Sequence, residues 1–133
     1  SLEQVGAYFS CRGLELNATR WSASSADEFR RTLKEAFTRE PVRYVSVNFD
    51  RQGLRQAGDG HHSPVGAYDE ATDRVLVLDV ARYKYPLWWA PLPELFRAMS
   101  DEREPMPYDT PRGYLVVGGK RRSEPPLQQP IAV

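Results

Sequence analysis

His62-Ser63-Pro64-Val65-Gly66-Ala67-Tyr68-Asp69 and Arg74-Val75-Leu76-Val77-Leu78-Asp79 are two runs that read as β-strands, joined by Glu70-Ala71-Thr72-Asp73. The Asp69–Asp73 stretch is rich in residues that favour turns, so the two strands should form an antiparallel hairpin. Pro64 should interrupt the first strand, because proline has no N–H for a ladder. The second is apolar on both faces, as expected of a central strand. If the hairpin is centred near Ala71, Ser63 stands opposite Asp79 and His61 lies diagonal to it, within side-chain reach. If the centre slips to Glu70, His61 faces Asp79 directly. In either register His61 shares a face with Asp79, and His62, of opposite parity, points away.

Around this hairpin the remaining elements alternate in type. Ser1-Leu2-Glu3-Gln4 is a capping box that should open a short helix reaching about Cys11, stopped by Gly13. Leu14–Ala18 alternates as a strand. Ser25-Ala26-Asp27-Glu28 reads as a second capping box, and Phe29, Leu33, Ala36 and Phe37 then make one apolar stripe at helical spacing. Val45, Val47 and Phe49 alternate with polar neighbours, which predicts another strand. Arg51–Gly60 is polar and glycine-containing, hence a loop. Its Gly58-Asp59-Gly60 is a flexible lead-in to His61 and not a phosphate loop. Pro93 can open a helix carrying Leu95, Phe96 and Met99, and Gly113–Val117 is a last strand. About five strands and three helices, joined mainly by hairpins, predict an α+β fold with an antiparallel sheet. One domain is expected over residues 1–118, with a disordered tail from 119 to 133, where Arg, Ser, Pro and Gln dominate.

Composition narrows the function. Eighteen basic and eighteen acidic residues cancel, which argues against a nucleic-acid partner. Lys120-Arg121-Arg122 is then a solvated tail and no docking patch. No apolar stretch approaches the roughly 18 residues of a membrane span and no signal peptide is visible, so a soluble, cytoplasmic protein is expected. The single cysteine, Cys11, rules out an intrachain disulfide and a multi-cysteine zinc site. A lone histidine such as His62 seldom holds a metal, and no cofactor is expected. The chain opens on Ser1 rather than Met, a hint of something upstream.

A carboxylate beside an imidazole fixes its tautomer, leaves the other ring nitrogen free to act, and stabilises the imidazolium formed on taking a proton. Beside a thiol, such an imidazole favours the thiolate. His61 and Asp79 have this pattern, although by residue physics alone a structural pair on a hairpin is the commoner case. Cys11 fits the nucleophile poorly. It falls at the C-terminal end of its helix, where the dipole disfavours a thiolate. Tyr83, Tyr85, Trp88 and Trp89 are expected to pack together as a cleft wall behind Asp79, without the basic interleaving of a nucleotide platform.

Gly60-His61-His62-Ser63-Pro64, Leu78-Asp79-Val80-Ala81-Arg82-Tyr83-Lys84-Tyr85-Pro86, Trp89-Ala90-Pro91-Leu92 with Leu95–Met99, and Arg112-Gly113-Tyr114 together resemble phytochelatin synthase, a transpeptidase of the papain-like cysteine-protease superfamily. The likeness is strongest from Gly60 to Met99. It implies the antiparallel-sheet half of a papain-like catalytic domain. It implies a glutathione γ-glutamylcysteinyltransferase, or a glutathione hydrolase, that works through a thiol acyl-enzyme. His61 would be the general base and acid, Asp79 its orienting group, and Arg82 a contact for a substrate carboxylate; Lys84 is a weaker candidate. Glutathione is the implied partner, with cadmium or zinc entering as metal–glutathione thiolate substrate and not as a resident cofactor. The nucleophilic cysteine of such enzymes opens a helix in the other half-domain and follows a glutamine. Neither is present here, and Cys11 resembles a non-nucleophilic cysteine segment. The expected partner is therefore a missing N-terminal half-domain, and this chain alone should be inactive. The alternatives are a papain-like peptidase of different substrate, or a non-catalytic fragment or subunit of a split enzyme.

Overall fold

The computed structural model describes residues 1–100 and 112–120. In chain order these are α1 (Leu2–Cys11), β1 (Leu14–Arg20), α2 (Ala26–Thr38), β2 (Tyr44–Asp50), β3 (Gly60–Asp69), β4 (Arg74–Val77), β5 (Trp88–Pro91), α3 (Leu92–Arg97) and β6 (Gly113–Lys120), with 3-10 turns at Trp21–Ala23 and Arg51–Leu54. The strands form one six-stranded antiparallel sheet in the order β1-β6-β2-β3-β4-β5. The α+β class read from the sequence is the class observed.

The helix starts are as the sequence requires. Ser1 and Gln4 exchange both capping-box bonds, and Gly13 at φ 74° ends the first helical unit, a conformation that suits a residue with no Cβ. At α2 only half of the box forms: the Ser25 hydroxyl accepts from the Glu28 N–H at 3.1 Å. Phe29, Leu33 and Ala36 are buried on one stripe of α2 and pack with α3 against β2, β4 and Tyr114 of β6. On the opposite face of the sheet, Leu2 of α1 covers Leu115 and Val117. The sheet is therefore covered on both sides at β6, with the larger core under α2 and α3.

Four expectations change. β3 begins at Gly60 and continues through Pro64. Proline is tolerated there because its carbonyl, which accepts from the Leu78 N–H at 2.9 Å, faces the β4 side, and its missing N–H falls beyond Val77, the last ladder residue of β4. β4 stops at Val77 and lies next to last in the sheet; Val75 and Val77 are fully buried whereas Leu76 and Leu78 are only half-buried. A sixth strand, Trp88–Pro91, forms the edge beyond it, where a terminal proline needs no ladder bond. β6 also runs past its expected end at Val117. The tail expected from residue 119 lies, from residue 121 on, outside the described residues. Among the described residues no helix is long and apolar enough to cross a membrane.

Candidate active site

The hairpin register decides where the site residues fall. Next to the turn, Asp69 pairs with Arg74 and Ala67 with Leu76; an irregularity between Val65 and Ala67 then brings Val65 opposite Val77. The ladder ends there; carried on through the Leu78 N–H to Pro64 carbonyl bond, that offset corresponds to the register expected to set Ser63 opposite Asp79 and His61 diagonal to it. On the other side of β3, Phe49 pairs with His61 and Asn48 with His62. His61 thus shares the core face with Phe49, whose ring it meets edge-on at 5.9 Å, and His62 faces the other side. Burial pushes the His62 imidazole below its usual titration range.

Asp79 sits just past β4 with its side chain shut off from water. Four donors converge on its carboxylate. Arg51 gives two, Nη2 to Oδ1 at 2.7 Å and Nη1 to Oδ2 at 2.9 Å; the Trp88 indole N–H gives a third at 3.0 Å and the Ala81 amide a fourth at 2.9 Å. His61 Nε2 lies 3.3 Å from Oδ1, but its N–H is not aimed along a hydrogen bond, so this nitrogen is a buried polar atom without a hydrogen-bonded partner. Burial alone would raise the Asp79 carboxyl; the bonds from Arg51, Trp88 and Ala81 outweigh it and hold the group at about 2. The imidazole of His61 is pushed down from its ordinary value, first by burial and then by the Arg51 charge, against an upward pull from Asp79. With Nε2 turned to the carboxylate, Nδ1 is the nitrogen left for proton transfer.

Arg51 was not singled out in the sequence, where it read as the start of a loop. Its signal is parity. Val45, Val47 and Phe49 mark the buried face of β2, and Arg51 continues that period of two. A charge on a buried parity calls for a buried counter-charge, and Asp79 is the carboxylate on that face.

The aromatic residues do not form one wall. Trp88 bonds Asp79 and meets the Phe49 ring at 6.0 Å. Tyr85 stacks on the Arg51 guanidinium at 4.5 Å, and its hydroxyl accepts from the Ala57 N–H at 2.7 Å. Tyr83 is 92% exposed and Trp89 45%. Arg82 and Lys84 are exposed on the same Val80–Leu87 loop, with Lys84 Nζ reaching the Ala57 carbonyl at 3.4 Å. Neither touches His61 or Asp79 among the described residues. Cys11 is exposed at the end of α1. That helix packs on the sheet face opposite the one bearing His61. No group of three or more His, Cys, Asp or Glu side chains is placed to hold a metal among the described residues.

An α+β sheet here buries a carboxylate under four donors and sets an imidazole beside it, an arrangement chemically able to hold a base in one orientation. The phytochelatin synthase family model matches residues 1–114, and the chain belongs to that family. It is 36% identical over 120 residues to glutathione gamma-glutamylcysteinyltransferase 3 of Lotus japonicus, covering 90% of this chain and 24% of that one. It is 36% identical over 121 residues to the glutathione gamma-glutamylcysteinyltransferase of Schizosaccharomyces pombe, covering 88% and 28%, and 41% identical over 88 residues to glutathione gamma-glutamylcysteinyltransferase 2 of Arabidopsis thaliana, covering 66% and 19%. The chain thus spans about a quarter of the length of the first two relatives.

Proposed function

We propose that this chain supplies the histidine–aspartate part of a glutathione γ-glutamylcysteinyltransferase of papain-like type. The observation that carries this reading is the carboxylate of Asp79, ionised and fixed 3.3 Å from the imidazole of His61, in a family whose named relatives carry out this transfer. The nucleophilic thiol comes from a preceding half-domain or a companion chain, because Cys11, the chain's single cysteine, sits on the wrong face of the sheet.

In the first step His61 takes the thiol proton. The thiolate adds to the cysteinyl carbonyl of glutathione, the bond to glycine breaks, and His61 returns the proton to the departing amine. A thioester to γ-Glu-Cys remains. In the second step the α-amine of another glutathione, or water, attacks the thioester. His61 takes the proton of the attacking group and the thiol is restored. Asp79 holds the ring and stabilises its protonated state. Arg82, exposed and with no ion pair among the described residues, offers a two-pronged donor to a substrate carboxylate. A metal–glutathione thiolate enters as substrate.

The test is glycine release and (γ-Glu-Cys)n-Gly formation by the full-length protein, followed by chromatography with and without cadmium or zinc. His61→Ala should abolish both, and the 133-residue chain alone should show negligible turnover. Undiminished turnover in His61→Ala would remove this residue from the mechanism.

A further inference from the structure

Arg51 is 4% exposed, a depth at which a guanidinium is retained only with full pairing. Both prongs of its fork end on Asp79, and Nη1 also donates to Gln56 Oε1 at 2.8 Å. Its guanidinium carbon lies over two rings, Phe49 at 5.7 Å and Tyr85 at 4.5 Å from their centroids. The backbone wraps the same residue: the Arg51 carbonyl accepts from Gln56 N–H and its own N–H reaches the Asp59 carbonyl. The loop before His61 and the loop after Asp79 are thereby clasped together through one side chain.

We propose that Arg51 is a positioning residue for the His61–Asp79 pair, fixing the carboxylate in a single orientation and offsetting its charge, so that Asp79 orients the imidazole without capturing its proton. An unpaired carboxylate at 3.3 Å would favour the imidazolium. A carboxylate already forked by a cation does so much less. The His61 imidazole is displaced downward, first by burial and then by the Arg51 charge, which opposes the upward pull of Asp79. The ring rests neutral, as a base must. The other charged groups near His61 are its neighbour His62, and Asp50, Asp59 and Arg112 around the Gly60 end of β3.

This inference rests on the reading of His61 and Asp79 as the working pair, but its test does not need turnover. In the full-length protein labelled with 15N, the His61 imidazole is titrated by NMR in wild type, Arg51→Met and Arg51→Lys. Loss of the charge in Arg51→Met should raise the His61 midpoint, whereas Arg51→Lys, which keeps charge but loses the fork, should leave it near wild type. Where glutathione turnover is measurable, Arg51→Lys should lower kcat by roughly 10²-fold with KM little changed. An unmoved midpoint in folded Arg51→Met overturns the proposal. If Arg51→Met does not fold, the lysine variant decides: a wild-type kcat there, or a raised midpoint, overturns it. Absence of turnover in the wild type would instead count against the enzymatic reading and leave the titration to judge Arg51.

Discussion

Leu78 lies over Gly66 so closely that a Cβ added to the glycine would stand 2.7 Å from Leu78 Cδ2 and 3.0 Å from its Cγ. Gly66 is at the irregularity that shifts the β3–β4 register, and Leu78 directly precedes Asp79. Gly66→Ala should therefore push on the residue that carries the carboxylate. Overpacking of this kind costs about 1–3 kcal/mol, measurable by urea unfolding. The double variant Gly66→Ala/Leu78→Ala should recover part of that loss, a non-additivity expected of residues in contact. Strict additivity would show that the two do not interact.

Asp79 and His61 should make stability fall in two stages as a solution is acidified. The Asp79 carboxyl is held at about 2, below its usual 3.8. Its contribution is complete above the ordinary carboxylate range and disappears as pH drops through about 2. At 1.36 kcal/mol per unit this amounts to roughly 2 kcal/mol. His61 and His62 are also displaced downward. Their contribution is complete above about 6.5 and declines as pH falls below it toward their lowered values. Unfolding curves at stepped pH should show both stages. Asp79→Asn should lose the lower one, and His61→Ala should diminish the upper one, leaving His62's share.

Removing the two members of the pair should have different costs. His61→Ala deletes a ring that is about one-fifth exposed, at 21%, with no hydrogen bond through Nε2. Activity should drop by 10²-fold or more, the usual worth of a general base, with a small change in stability. Asp79→Ala leaves the buried Arg51 charge without its partner and should cost about 3–5 kcal/mol. Thermal melts of the two variants side by side would check this; equal melting points would contradict the buried-pair account.

Arg30 and Asp73 form another two-pronged pair, at 2.8 and 2.7 Å, with the Tyr68 hydroxyl donating to the same carboxylate at 2.8 Å. It ties α2 to the β3–β4 turn, where Asp73 holds φ at 52°. Both side chains reach solvent, so Arg30→Ala should cost about 1 kcal/mol or less. It should not alter glutathione turnover or the His61 titration. A shift in that titration would show that the turn transmits strain to the site.

Much of the site could be read in the sequence because β-strands alternate. Parity alone separated His61 from His62, and the turn composition at Asp69–Asp73 fixed the pairing closely enough to put His61 and Asp79 on one face. What escaped depends on where strands end. Arg51 read as loop because Asp50-Arg51 looks polar, yet the side chain still obeys the alternation of β2 and turns inward. The edge strand Trp88–Pro91 is short and ends on proline, so nothing local announced it; it forms because the Val75–Val77 run offers a free ladder. The four aromatic residues near Asp79 looked like one cluster by proximity in sequence. Alternation within β5 sends Trp88 to the carboxylate and Trp89 toward solvent, and the Val80–Leu87 loop splits Tyr83 from Tyr85 in the same way.

The place of β6, between β1 and β2, bears on how the molecule assembles during synthesis. Among the described residues β1 pairs with β6 and with no other strand, and α1 packs mainly on β1 and β6. The hairpin array β2–β5 can close through near-neighbour pairings while α1 and β1, although made earlier, have no sheet to join. They must wait until residues 113–120 leave the ribosome, and pairings of such long sequence separation form slowly. During that interval the apolar stripe of Leu2, Val5 and Phe9 lacks the cover that β6 gives it in the folded sheet, which makes this segment a place for a chaperone to act.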